Sequence, residues 1–262
     1  EETAYATNVA PTPVPQDIYG VVAALVNEKL ISDSKEAHPY AAKWLGFGVD
    51  RKATKRPTMV WPYGGTMYSC RAYIDEWYQD KLRKERVENP FPDENIRYKV
   101  TDYLSSLVWA AINEVLARPK EAMHYLQDVA KAVSKAGHEI RWVTPTGFPV
   151  LQHYTKQESK SVKTKIGGQA TWVNFRESTG ELSSARARQG ISPNFVHSLD
   201  ASLLTKSVLD AHSKGIWDFC CIHDSFGTHS NKSGALAASI RQAAHQIFEL
   251  DLLGGFDTYL RG

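Results

Sequence analysis

Phe219-Cys220-Cys221-Ile222-His223-Asp224-Ser225-Phe226-Gly227-Thr228-His229 runs four apolar residues into a His-Asp-Ser triplet, and Phe-Gly-Thr carries the chain back out. An apolar run of that length, bounded by polar turn formers, predicts a short strand buried on both faces. The triplet then falls at the tip of a tight hairpin, within residues 218–229, and one carboxylate, Asp224, is held out from the sheet. A carboxylate placed there suits a hard cation such as Mg²⁺, which takes one or two carboxylates together with substrate phosphates. The same residues also suit an ordinary turn in which Asp224 and Ser225 bond their own backbone. The choice rests on the rest of the chain.

The second informative stretch is Arg51-Lys52-Ala53-Thr54-Lys55-Arg56, four cations in six residues, followed by Met59, Trp61, Tyr63 and Gly64-Gly65. Arg51, Lys55, Met59 and Tyr63 are spaced by four, so on a helix they form one slowly drifting stripe that grades from cationic to aromatic. A nucleoside triphosphate asks for such a surface, with Lys and Arg along the phosphates and an aromatic ring near sugar and base. An amphipathic helix with a basic end and a core aromatic has the same pattern. Pro57 predicts a helix beginning near Thr54, because the first turn has no N–H bonds to lose. Pro62 predicts a kink just before Tyr63.

The chain has 262 residues, 42% hydrophobic and 23% charged, enough for a buried core in one large domain or two modest ones. A net charge of +2 names no partner, so a nucleic-acid reading has to rest on local clusters. Three cysteines, two of them adjacent, exclude a disulfide framework and predict small buried apolar thiols in a reducing compartment. The apolar run Val21-Val22-Ala23-Ala24-Leu25-Val26 falls far short of the ~18 residues of a membrane helix. Glu1-Glu2 is the wrong chemistry for a signal peptide.

Pro11, Pro13 and Pro15 make residues 1–16 an extended connector. Asp17 is placed to cap a helix through Ile18, Val22, Leu25, Val26 and Leu30. Residues 31–42 read as turns, residues 51–79 as helix with a proline-marked interruption, and the charge run Lys81–Arg86 as a solvated helix face. Helices near 96–116 and 119–136 precede a hairpin around Thr144-Pro145-Thr146-Gly147-Phe148-Pro149. Residues 155–190 read as strand and loop, whose Lys156, Lys160, Lys163 and Lys165 suit a phosphate backbone or a solvated loop equally. Helices near 193–213 and 233–250 flank the Asp224 hairpin, and Gly254-Gly255 is expected to end the last of them.

Taken together, Arg51-x3-Lys55-x3-Met59-x3-Tyr63-Gly64 and His223-Asp224-Ser225 resemble the fingers helix and palm hairpin of the single-subunit RNA polymerases of phages and mitochondria. Gln16-Asp17-Ile18-Tyr19-Gly20, Trp142-Val143-Thr144-Pro145-x-Gly147-Phe148-Pro149 and Pro193-Asn194-Phe195-Val196-His197-Ser198 support the resemblance in the expected order, over about residues 16–250. It implies an α+β fold, mainly helical. Residues 17–140 would form a fingers-side region and residues 141–262 the C-terminal part of a palm, with the catalytic hairpin on a small antiparallel sheet. By the same resemblance, Asp224 is one of two metal-binding aspartates, and Lys55 and Arg51 meet the incoming triphosphate. Tyr63 and Gly64 place the nucleotide and reject deoxyribose. His197 and Tyr19 lie near the ribose and primer terminus, and His223 positions the metal ligand. Implied partners are DNA template, nascent RNA and nucleoside triphosphates, with two Mg²⁺ ions, in the host cytoplasm and away from membranes.

The family carries its other metal-binding aspartate upstream of the Gln-Asp-Ile-Tyr-Gly stretch, and residues 1–15 hold no Asp. The phage enzymes also continue beyond the position of Gly262. One carboxylate cannot hold a two-metal clamp. The chain is therefore expected to be inactive alone and to complete its site with a second polymerase subunit, as in the split heterodimeric phage enzymes of the N-four type. Two alternatives stay open: a fragment of a related DNA polymerase, whose palm triplet ends in Glu where Ser225 stands, and a non-catalytic nucleic-acid-binding subunit that keeps motif remnants. A His-Asp metallohydrolase would need further ligands at short helical spacing, and none accompany His223 and Asp224.

Overall fold

A computed structural model describes residues 17–222 and 224–261. They form an α+β, mainly helical protein with three separate two-stranded antiparallel sheets. The described residues divide into two compact units, 17–123 and 124–261, with the boundary inside a helix. The proline-rich stretch 1–16 lies outside the described residues.

The first unit is helical throughout: α1 (Ile18–Lys35), α2 (Ala41–Phe47), α3 (Arg51–Val60), α4 (Met67–Glu85), α5 (Arg97–Val115) and the start of α6 (Ala117–Lys135). Its core gathers on Trp44, fully buried and ringed by Phe47, Trp77, Tyr78 and Phe91 at centroid distances of 5.0–6.3 Å. Trp44 Nε1 donates to the Val100 carbonyl at 3.2 Å, so the buried indole leaves no polar atom unmatched there. Residues 31–35, read as turn, belong to α1; the turn is confined to residues 36–40, where Ala37 takes a left-handed φ of 61°.

Two proline expectations meet different outcomes. Helix α3 starts at Arg51, not near Thr54, because the Asp50 carboxylate accepts from the Lys52 and Ala53 amides at 3.0 and 3.3 Å and caps it earlier. Pro57 is therefore interior, and the Ala53 carbonyl loses its i+4 donor. The Pro62 interruption is present but is not a kink just before Tyr63: α3 already ends at Val60 and a 3₁₀ turn, Trp61–Tyr63, follows.

The second unit carries the sheets. Strands β1 (Ile140–Val143) and β2 (Pro149–Gln152) form the expected hairpin, with Gly147 at φ 83°. Strands β3 (Thr155–Ile166) and β4 (Gln169–Leu182) form a long ribbon where strand and loop were expected. Gly167 and Gly168, both at positive φ, make its two-residue turn, a glycine pair suited to a tight hairpin. Helix α7 runs from Ser184 to Ser213 and starts well before Pro193, because the Ser183 hydroxyl caps it by accepting from the Arg186 amide. The Asp224 hairpin, β5 (Cys220–Ile222) and β6 (Ser225–Gly227), is followed by α8 (Ser233–Phe248) and α9 (Leu252–Arg261).

Gly254 and Gly255 do not end a helix; they lie within α9. Asp251 accepts from the Gly254 amide at 2.9 Å, and a β-carbon on Gly254 would come within 2.1 Å of that carboxylate. Glycine here is room for a cap, not a stop signal. Trp142, Phe195 and Phe256 form the core of this unit, with centroids 5.4–6.1 Å apart, and Trp142 Nε1 donates to Ser198 Oγ at 3.0 Å.

The cysteines divide in a way the sequence reading missed. Cys70 is buried and desolvation pushes its thiol up to about 12, whereas Cys220 is exposed and Cys221 half-buried. A maleimide added to the native chain is expected to label Cys220 and leave Cys70 untouched until denaturant is added, read by peptide mass spectrometry. Equal labelling of Cys70 in the native state would contradict the packing of α4.

Candidate functional site

The site residues are built on two scaffolds, one in each unit. In the first unit, Arg51, Lys55 and Met59 share an exposed face of α3. The stripe reaches three of its four residues on one helix; Tyr63 stands on the following 3₁₀ turn, and Gly64 after it takes φ 88°. A side chain at Gly64 would strain that left-handed backbone, so the turn calls for glycine. Buried Thr54, on the opposite face of α3, donates to the Tyr19 carbonyl at 2.8 Å and so pins α3 to α1.

Arg51 and Tyr19 come together directly: the guanidinium sits 5.0 Å from the ring centroid. Arg51 Nε also donates to Asp17 Oδ2 at 2.7 Å. Asp17 does occupy the position before α1, yet its side chain caps nothing, because the guanidinium has claimed the carboxylate. Lys55 makes no ion pair among the described residues.

In the second unit, Ile222 pairs with Ser225, which leaves Asp224 in the two-residue connection of the β5–β6 hairpin. The hairpin is footed by Phe219 and Phe226 on a small cluster of Ala211, Ile216 and Leu236, and Thr228 Oγ1 closes its base on the Asp218 carbonyl at 2.8 Å. The strand is not buried on both faces as the apolar run suggested: Ile222 is 64% exposed. With one partner strand and one small cluster beneath it, the hairpin stands out from the unit. Asp224 itself is exposed and makes no ion pair among the described residues.

His197 lies on α7, and Asp200 follows one turn later on the same helix. Partial desolvation by its surroundings pushes the carboxyl of Asp200, an exposed residue, above its ordinary value; the nearby His197 opposes that shift and the Asp224 charge adds to it. His197, Asp200 and Asp224 thus share one electrostatic neighbourhood. His223 lies outside the described residues. Asp17 and Asp200 are the residues the sequence reading missed as neighbours of the site; Asp17 sits within a motif already quoted and Asp200 lies just beyond one, but nothing in spacing alone says which carboxylate faces which partner.

The geometry offers hard oxygen donors at a hairpin tip and, in the other unit, cations on a helix face. Among the described residues no group of three or more His, Cys, Asp or Glu side chains is placed to hold a metal. No described helix is long and apolar enough to cross a membrane.

Comparison with known proteins defines the class. The chain belongs to the DNA-dependent RNA polymerase family, which it matches over residues 1–261. It is 34% identical over 249 residues to the DNA-directed RNA polymerase of Pseudomonas phage phiKMV, covering 91% of this chain and 29% of that protein. To T7 RNA polymerase of Escherichia phage T7 it is 31% identical over 292 residues, 96% of this chain and 33% of the relative. To the mitochondrial DNA-directed RNA polymerase of Homo sapiens it is 32% identical over 261 residues, 98% and 20%. The chain therefore spans a third or less of the length of these relatives.

Proposed function

We propose that this chain supplies the triphosphate-binding helix and one of two metal-binding aspartates of a DNA-directed RNA polymerase, and that a partner polypeptide supplies the other aspartate. The observation that carries the reading is Asp224, an exposed carboxylate at a hairpin tip with no ion pair among the described residues, in a chain of this family. In this reading residues 17–140 act as fingers and residues 141–262 as palm.

Arg51 and Lys55 neutralise the triphosphate, and Lys55 is poised to give a proton to the departing pyrophosphate as its charge develops. Tyr63 and Gly64 place the nucleotide and exclude deoxyribose. Tyr19 stacks under Arg51 and keeps its guanidinium oriented. His197 attends the ribose and primer terminus, and His223 steadies its neighbour Asp224. Asp224 contributes one carboxylate to the Mg²⁺ site; when bound, the metal pair would stabilise the attacking 3′ oxygen and the leaving pyrophosphate. DNA template, nascent RNA and ribonucleoside triphosphates are the remaining partners.

The test is reconstitution. Purified alone, the chain is expected to show no template-directed RNA synthesis; mixed with a polypeptide that carries the other metal-binding aspartate of the family, it should gain Mg²⁺-dependent synthesis with ribonucleotides preferred over deoxyribonucleotides. Synthesis by the chain alone would sink the two-chain site.

A further inference from the structure

Lys81 belongs to the charge run read as a solvated helix face, yet it does not behave as its neighbours do. Arg83 and Lys84 pair with Asp80 on the surface of α4. Lys81 turns inward instead: its ammonium donates to the Phe47 carbonyl at 2.8 Å and the Gly48 carbonyl at 2.7 Å, and lies 4.9 Å from the Phe47 ring centroid and 5.6 Å from that of Trp77. It makes no ion pair among the described residues. A cation held by carbonyls and ring faces is placed by the C-terminal end of α2, where helix carbonyls lack donors and the dipole is negative.

The next carbonyl along the chain is held in the same manner. Asn27 Nδ2, from α1, donates to the Val49 carbonyl at 2.8 Å and to the Ala23 carbonyl at 2.9 Å. Three successive carbonyls, 47 to 49, are thus fixed by side chains from two other helices, across the bend where Gly48 takes φ 81°. Asp50 caps α3 immediately afterwards, and Arg51 is its first residue.

We propose that Lys81 is a positioning residue for nucleotide binding: by holding the Phe47 and Gly48 carbonyls it sets where α3 begins, and so where Arg51 and Lys55 stand. This rests on the polymerase reading for its consequence, but not for its geometry. A shift of about 1 Å in such a helix can cost on the order of a hundredfold in rate, so a partial loosening is expected to raise the KM for nucleoside triphosphate about tenfold.

Two measurements separate the claims. In the chain by itself, Lys81→Met is expected to speed amide exchange at residues 48–54 while residues 97–115 of α5 keep their protection; Lys81→Arg, which can still donate to both carbonyls, should restore it. In the reconstituted enzyme, counted per active site, Lys81→Met should raise the triphosphate KM about tenfold with template affinity unchanged, and Lys81→Arg should recover most of the loss. A merely structural role would reduce the number of active sites and leave KM per site unmoved, and that result, or unchanged exchange at 48–54, overturns the proposal. Should Lys81→Met fail to fold, Lys81→Gln, which keeps one donor group, takes its place in both measurements. If the wild-type assembly makes no RNA, the polymerase reading fails, and the exchange measurement alone still decides whether Lys81 fixes α3.

Discussion

Asp224→Asn is expected to lower RNA synthesis by the reconstituted enzyme by about a thousandfold or more. The amide keeps the size and turn-forming capacity of the carboxylate, so the β5–β6 hairpin should persist, with Thr228 still closing its base. What is lost is the negative charge. A carboxylate's share of metal-held transition-state stabilisation is worth several kcal/mol, and each 1.4 kcal/mol or so is a factor of ten. The loss should fall on kcat, with template binding retained, because the exposed Asp224 makes no ion pair among the described residues. Single-turnover incorporation on a primed template would measure it. If Asp224→Asn left the rate within a factor of a few, a non-catalytic accessory role would be the better account of the chain.

The second large effect is on stability. Trp44→Ala is expected to cost the first unit about 3–5 kcal/mol, the range for emptying a buried aromatic site. The indole is fully buried, meets four other aromatic side chains and satisfies the Val100 carbonyl. Its removal opens a cavity between α2, α4 and α5 and leaves that carbonyl without this donor. Urea unfolding followed by far-UV circular dichroism gives the measure. Trp44→Phe should cost less, since a ring remains and only the N–H and part of the volume go. A loss under about 1 kcal/mol for Trp44→Ala would mean that the aromatic cluster does not hold this unit together.

Much of the fold is written locally. The helical periods of α5 and α6, the Pro-Gly hairpin and the Asp224 turn each follow from neighbouring residues, and the structure forms them close to where those residues predict; α1 forms too but runs on through residues read as turn. The helix start at Arg51 depends on Asp50, a cap overlooked because Pro57 seemed to require a later start. The start of α7 at Ser184 likewise rests on a cap, Ser183, and falls well before the start expected near residue 193. Gly254-Gly255 looked like a terminus because the carboxylate of Asp251 that occupies the space beside Gly254 is not visible in composition. The ribbon of β3 and β4 was obscured by its polarity: with most residues exposed on both faces, it lacks the alternation by which strands are recognised. For the site, residue types and order were legible, whereas the neighbours that tune them were not. Lys81 was indistinguishable from Arg83 and Lys84 until its distance to a bend in another part of the chain was known.

Under the triphosphate-binding role proposed for α3, the contact between Arg51 and Asp17 alters what an approaching polyphosphate first encounters. Of the two cations on that side of α3, one is already engaged by a carboxylate at 2.7 Å, so the leading attraction comes from Lys55 alone. In that role, full grip on the phosphates would require Arg51 to exchange one anion for another, and Asp17, at the threshold of α1, would then be left to find water or a new donor. On that reading, capture of substrate and release of the Asp17 carboxylate are two halves of a single trade, while Thr54 still pins the start of α1.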